Sequence, residues 1–356
     1  MVSVGRRLVI ALALGLVLGL SAAPAAGAAA APRGFFGVGG WAFPAPADLS
    51  RLAHDGLRSW RTTLSWAAVE PAPGEYRWSG YDQLVRLTAS HRVGLLFTIS
   101  GCPTWACPLG RGIPPDAAGR TRLQAFIRAA VQRYGHGNRL RLPPVTYWQV
   151  GNEVNGPDQW PPRPSVRAYA AYLRRSAQTI RLTDRRARVV LAGLGEKMDY
   201  WLRDYLPGLY RRHGFRRSFD IMAVEGYAPR TVDVPRILDL TRRIMRRHHD
   251  RKPIWITEMS WATGGPPFPF TTTLSGQARR LTRSWRTLLA CRRRWNLRRV
   301  YWFAFGDRAA GDDVKDYWGF HNGLLFADGR PKPAFNAFVR FVRPGGARVS
   351  RCRLRR

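Results

Sequence analysis

Lysine is almost absent from this chain. Only Lys197, Lys252, Lys315 and Lys332 occur among 58 basic residues, so nearly the whole positive excess is arginine. Acidic residues are also few, 23 in all, which leaves a formal charge of +35. An excess of this size draws polyanions. The arginines, however, are spread in short runs such as Arg174-Arg175, Arg211-Arg212 and Arg292-Arg293-Arg294, and no recognisable nucleic-acid module accompanies them. Specific nucleic-acid binding is not expected. Solvated arginine-rich helix faces are the plainer account, with attraction to acidic cell-surface polymers as a secondary expectation. Cysteine is limited to Cys102, Cys107, Cys291 and Cys352, with no His or carboxylate at ligand spacing around either local pair, so no metal site is expected. A Gly-x-Gly-x-x-Gly phosphate loop is missing too, since Gly37-Val38-Gly39-Gly40 is only a glycine-rich strand end, and no cofactor is called for. No Pro/Gly/Ser linker or charge block divides the chain, which argues for one large domain.

What is present begins with a leader. Arg6 and Arg7 precede an apolar stretch from Leu8 to Leu20, followed by alanine-rich sequence with small-x-small sites such as Ala26-Gly27-Ala28. That order reads as a secretory signal peptide over residues 1–32. The apolar core is shorter than the ~20 residues of a membrane span, so no stable span is expected. No charge follows until Arg33, and an uncleaved anchor stays open as the alternative. Either way the domain is expected to be secreted or extracytoplasmic. Four cysteines in an exported protein suggest disulfides, here Cys102–Cys107 within one loop and Cys291–Cys352 tying the tail to a late helix.

Eight extended, apolar or β-rich runs alternate with helical patterns: Phe35–Gly39, Arg58–Leu64, Val93–Ile99, Val145–Val150, Val189–Ala192, Phe219–Val224, Pro253–Thr257 and Arg299–Phe305. Between them, apolar stripes recur at helical spacing, as in Leu123, Phe126, Ile127, Ala130 and Val131, or Leu281, Trp285, Leu288 and Leu289. Nearly continuous apolar strands separated by helices indicate a parallel sheet covered on its outer face. Eight such units predict an α/β chain folded as a (β/α)8 barrel over residues 33–345, with a basic tail at 346–356, and a monomer.

In such a barrel the chemistry sits at the C-terminal strand ends. Two of these carry glutamate: Trp148-Gln149-Val150-Gly151-Asn152-Glu153 after the fourth strand, and Trp255-Ile256-Thr257-Glu258 at the seventh. A glutamate closing an apolar strand costs free energy unless it is paired or functional. Taken singly, either could be a structural acid paired with an arginine. Together, facing one cavity, they suit cleavage of a glycosidic bond, which needs a proton donor and a second carboxylate at the anomeric carbon.

These two motifs resemble the signatures of clan A glycoside hydrolases, a group that includes family 5 cellulases and family 39 β-xylosidases. The resemblance continues through Arg61-x4-Trp66-x3-Glu70-Pro71-x2-Gly74-x-Tyr76-x-Trp78, Tyr81-Asp82, Pro103-Thr104-Trp105, Trp302, and Gly323-Leu324-Leu325-x3-Gly329-x-Pro331-Lys332-Pro333-Ala334. It covers essentially the whole chain after the leader. It implies retaining hydrolysis of a β-linked poly- or oligosaccharide, with Glu153 as acid/base and Glu258 as nucleophile. Asn152 would bond the sugar 2-hydroxyl, Arg61 would keep Glu258 ionised, and Tyr227 would hydrogen-bond it. Trp302 would lie under the reacting sugar, and Trp105 and Trp261 are candidate subsite walls. The chain departs from the pattern at strand six, where Glu225-Gly226-Tyr227 replaces a His-x-Tyr-like pair. Glu225 could bond a substrate hydroxyl, raise a neighbour's pKa, or pair with an arginine, the last being the favoured expectation. The rival classes are a catalytically silent sugar-binding barrel and a polyanion-binding surface protein. Both glutamates, Asn152 and Arg61 argue against the first, and only the charge favours the second.

Overall fold

The computed structural model describes residues 29–110, 112–114, 116–195, 202–309, 315–349 and 351–354. The expected leader lies outside the described residues except for its last four.

The eight expected strands all form. In chain order they are β1 (Phe36–Gly39), β2 (Ser59–Ser65), β3 (Gly94–Ser100), β4 (Tyr147–Val150), β5 (Arg188–Val190), β6 (Met222–Glu225), β7 (Ile254–Glu258) and β8 (Leu297–Phe303). They pair in parallel in the order β5-β4-β3-β2-β1-β8-β7-β6. Parallel bridges Val190↔Ile221 and Leu194↔Val224 join the two edges, so the sheet closes into a (β/α)8 barrel. The strands are buried on both faces, which is why they read as apolar runs and not as alternating ones.

The helices follow from their stripes and caps. Helices α1 (Pro46–His54), α2 (Trp66–Val69) and α3 (Ser79–Ser90) precede α4 (Ala117–Tyr134), α5 (Val166–Thr183) and α6 (Leu202–Tyr210). Then come α7 (Asp233–Arg247), α8 (Leu274–Trp295) and α9 (Pro333–Val342). Asp116, Ser165 and Thr273 cap α4, α5 and α8 through side-chain oxygens that accept the amides of Gly119, Ala168 and Gly276. The predicted apolar stripes of α4 and α8 are buried, as are Tyr169, Tyr172, Leu173 and Ile180 along α5. At the foot of the barrel Phe36 stacks on Trp285 with ring centroids 4.2 Å apart and meets Phe341 of α9 edge-on at 5.2 Å. A half-buried cation packs among rings on the barrel strands: the Arg299 guanidinium lies 4.5 Å from the Trp255 ring and 4.8 Å from the Tyr147 ring, and donates to Ser59 Oγ.

Both expected disulfides are present, Cys102–Cys107 and Cys291–Cys352, five and 61 residues apart in sequence. Next to the second, Ala29–Ala30 pairs antiparallel with Arg348–Val349. By loop-closure entropy the long bridge stabilises by about 4 kcal/mol and the short one by roughly 2. Replacing Cys291 and Cys352 with serine is therefore expected to lower the denaturant-unfolding free energy about twice as far as replacing Cys102 and Cys107. Equal losses would show that loop length is not the cause. Among the described residues, no helix is long and apolar enough to cross a membrane.

Candidate active site

The two predicted carboxylates emerge at the C-terminal rim from β4 and β7. Glu258 is the last residue of β7. Glu153 stands three residues beyond β4, on a backbone that turns through the left-handed region twice, at Gly151 (φ 84°) and at Glu153 itself (φ 42°). Glycine adopts that conformation freely, whereas glutamate does so at a cost and needs surrounding bonds to hold it. Those bonds are present: the Glu153 amide donates to the Gly193 carbonyl (2.9 Å), and the Glu153 carbonyl accepts from the Gly156 amide (2.8 Å). Asn155, fully buried, spans the same two loops by donating to the Gly195 carbonyl at 2.8 Å and accepting the Gly195 amide.

Arg61 on β2 is the hub of the site. Its Nη1 donates to Glu258 Oε1 (2.7 Å), its Nε to Gln149 Oε1 (2.9 Å) and its Nη2 to Asn152 Oδ1 (2.7 Å). Thr98 on β3 donates to the same Gln149 oxygen. One guanidinium thus ties β2 to β4 and β7, and Thr98 adds β3 through the shared Gln149 oxygen. Tyr227, beyond β6, donates its hydroxyl to the other Glu258 oxygen at 2.8 Å. Burial, followed by the charges of Glu258, Glu225 and Glu153, holds the Tyr227 phenol well above its ordinary pKa, so it remains a donor. Arg61, Asn152, Tyr227 and Glu258 therefore form one bonded cluster.

Glu153 is the contrasting carboxyl. It keeps some accessible surface, yet burial and the nearby Glu258 charge push it up to about 7, against the lowering effect of a Glu225 bond and of Arg61. The two carboxyls thus sit in contrasting environments, Glu258 bonded by a guanidinium and a phenol and Glu153 raised by burial.

Glu225 corrects an expectation. Among the described residues it forms no ion pair with an arginine. It is completely buried, and neither oxygen accepts a bond from an N–H group or a hydroxyl. Its neighbours are the carboxyls of Glu153 and Glu258, which together with burial raise it well above the usual carboxylate range.

The tryptophans also need correction. Trp302 is fully buried: its indole N–H donates to the Asn322 carbonyl, and its ring packs against Trp261 and Trp285. Trp261 is equally buried and donates to the Ala228 carbonyl. Neither ring has a face to offer a ligand. The aromatics at the rim are others. Phe303, one residue beyond Trp302, is partly exposed and meets Trp41 edge-on at 4.9 Å. Trp41 and Tyr317 are 39% and 38% exposed. Trp318 lies 5.4 Å from Tyr227 and stacks at 5.2 Å on Phe268. Trp105 retains an accessible edge, with its indole N–H on the Glu70 carbonyl and its ring against Trp66. Beside Asn152 a cavity of about 180 Å³ opens between Ile113, Val154, Gln159 and Trp160.

Sequence reasoning missed Gln149, Gly193, Phe303 and the Tyr317-Trp318 pair. Gln149 had a signal, a polar residue inside an apolar strand. The aromatics lie in loops whose course no periodicity reveals.

No family model matches the chain, and no curated protein matches it in sequence. Solved structures do match. A family 39 glycoside hydrolase from Bacteroides cellulosilyticus WH2 superposes with TM-score 0.63 at 23% identity, over 86% of this chain and 62% of its own, so the chain spans less than two thirds of that protein. A GH5_18 variant from Streptomyces cattleya, solved in complex with Manb1-4GlcNAc, matches with TM-score 0.67 at 19% identity, over 88% of this chain and 80% of its own. A β-galactosidase from the psychrophilic Marinomonas ef1 matches with TM-score 0.61 at 14% identity, over 86% and 58%. At these identities the likeness establishes the barrel fold, which clan A glycoside hydrolases share.

Proposed function

We propose that the protein is a retaining glycoside hydrolase acting on a β-linked poly- or oligosaccharide by double displacement. Glu153 is the acid/base and Glu258 the nucleophile. One observation carries this reading: Glu258 accepts bonds from a guanidinium and a phenol, as a carboxylate poised to attack does, while Glu153 beside it is pushed up to about 7, as a proton donor requires. The barrel neighbours that hydrolyse glycosides support it.

In the first step Glu258 Oε attacks the anomeric carbon as Glu153 gives its proton to the leaving oxygen. The covalent glycosyl ester removes the negative charge of Glu258. With that repulsion gone, Glu153 becomes the base that takes a proton from the incoming water, and the ester breaks with a second inversion. Arg61 and Tyr227 hold the nucleophile in line, and Asn152, itself oriented by Arg61, is set to bond the sugar 2-hydroxyl. Phe303 and Trp41 replace Trp302 as the rings that would meet the apolar face of a pyranose. Export through the leader, monomeric action and electrostatic retention on acidic cell-surface polymers complete the proposal.

The test is a panel of aryl β-glycosides and β-linked polysaccharides, followed by NMR of the first-formed product. Retained configuration is expected. Inverted product, or carboxyl groups separated by ~8 Å or more, which leaves room for a water between them, defeats the mechanism. The pH dependence follows from the acid. Glu153 must carry its proton, so kcat/KM should fall as pH rises through about 7. A rate that climbs steadily to pH 9 excludes Glu153 as the donor.

A further inference from the structure

Three carboxyls meet at the rim, and a single guanidinium among the described residues bonds any of them. Arg61 gives one bond to Glu258 and its other two to Gln149 and Asn152. Glu225 receives none of them. It ends β6 in register with Glu258, past a shift that leaves Thr257 of β7 unpaired between Ile256 and Glu258. It is sealed from solvent, with both oxygens free of N–H and hydroxyl donors. The space it occupies exists only because residue 193 is glycine. A Cβ placed there would stand 2.7 Å from Glu225 Oε1 and 2.8 Å from Thr257 Oγ1, closer than such atoms approach. The carbonyl of the same Gly193 holds the Glu153 amide. One glycine thus makes room for the Glu225 carboxyl and anchors the Glu153 backbone.

A buried carboxylate without donors or a bonded cation is among the most costly groups a protein can hold, and neutralisation is the ordinary outcome. Two carboxyls in contact cannot both be ionised, but one proton lets the first donate to the second. The groups around the pair point the same way. Glu258 and Asp158 add negative charge and Arg61 alone adds positive, while Tyr227 and Thr257 are neutral.

We propose that Glu225 is a proton-holding positioning residue, a neutral carboxylic acid whose O–H donates to Glu153 and fixes both the orientation and the acidity of that side chain. This deepens the glycosidase reading and rests on it for its consequence in turnover. When Glu153 has given up its proton, the Glu225 O–H stabilises the carboxylate left behind. The burial and charge around the two residues agree with this division: Glu225 is raised well above the carboxylate range, and the bond between them lowers Glu153.

The decisive measurement needs no substrate. In protein labelled with carbon-13 at the glutamate carboxyl, NMR titration follows each side chain, and loss of a resonance in Glu153→Gln or Glu225→Gln identifies it. The Glu225 carbon is expected to stay at its protonated shift well above the range in which exposed glutamates titrate. In Glu225→Ala the Glu153 midpoint should rise by about one pH unit, the scale of a lost hydrogen bond to the charged form. Should Glu225→Ala fail to fold, Glu225→Gln decides: a neutral amide donor leaves the Glu153 midpoint nearly unmoved. A Glu153 midpoint that falls in either variant means that a negative charge was removed, and overturns the proposal. So does a Glu225 carbon that titrates with exposed glutamates. On any glycoside the enzyme cleaves, the basic limb of kcat/KM should follow the Glu153 midpoint in direction and size. A merely structural residue would lower kcat and leave that limb in place. If no glycoside is cleaved while Glu225 stays protonated, the glycosidase reading fails and the proton-holding assignment stands. If turnover is found and Glu225 titrates normally, the reverse holds.

Discussion

Glu258→Ala should abolish turnover, with kcat lower by about 10⁴–10⁶-fold, the scale of removing a covalent nucleophile. Its carboxylate has no understudy: Glu153 is assigned to the proton, and Glu225 is buried behind both. Azide should restore part of the rate, since the small anion fits the vacated space and attacks the same face of the sugar. The product would then be a glycosyl azide of inverted configuration. In Glu153→Ala the loss should be smaller, about 10²–10⁴-fold, and least for substrates with good leaving groups. There azide would intercept the glycosyl ester, giving retained configuration. Chromatography and proton NMR of the two azides distinguish the outcomes. The same azide anomer from both variants, or equal losses that azide leaves untouched, would show the two roles to be wrongly assigned.

Arg61→Ala should be nearly as damaging, and in two currencies at once. Removing the guanidinium leaves the Glu258 carboxylate buried with only the Tyr227 hydroxyl for compensation. Breaking a buried ion pair on one side costs about 3–5 kcal/mol. The Gln149 oxygen keeps only Thr98 as a donor, and Asn152 loses its Arg61 donor, so the Asn152 side chain is freed from the orientation the proposed chemistry needs. Arg61→Lys should recover little, because one ammonium cannot reach three acceptors in three directions. Guanidinium unfolding would measure the first effect and kcat/KM the second. A stability loss below about 1 kcal/mol would place this pair with exposed ion pairs, contrary to its burial.

The barrel was legible because its strands are buried on both faces, so each appears as an apolar run with a helix-period stripe after it. Glu153 and Glu258 were legible for a related reason, as charged residues closing apolar strands. Arg61 and Asn152 came from the family resemblance, and the structure brings them to Glu258. Gln149, which accepts from both Arg61 and Thr98, lies inside the quoted motif, but its polarity alone carried no signal of that role. Trp302 failed by one residue. Successive side chains on a strand point to opposite faces, and the sequence Tyr301-Trp302-Phe303 offers an aromatic ring on either parity. Only the barrel decides that Trp302 packs outward against Trp261 and Trp285 while Phe303 remains at the rim. Glu225 failed for a different reason. In a chain with 58 basic residues an arginine partner was the ready expectation, but composition does not say which groups a strand end can reach. At the end of β6 those groups are two other acids.

The ribbon of Ala29–Ala30 with Arg348–Val349, and the nearby Cys291–Cys352 bond, lie at the foot of the barrel, where α8 ends and the strands begin. The rim that carries Glu153 and Glu258 is at the opposite pole. Any support fastened to either end of the described chain, whether a bilayer, a cell-wall polymer or a sensor chip, would therefore sit beneath the closed floor, with the mouth turned outward to the medium. An immobilised sample should keep full access to a bulky polymer, and a light load applied between the two ends would meet the short ribbon before the strands that hold the glutamates in place.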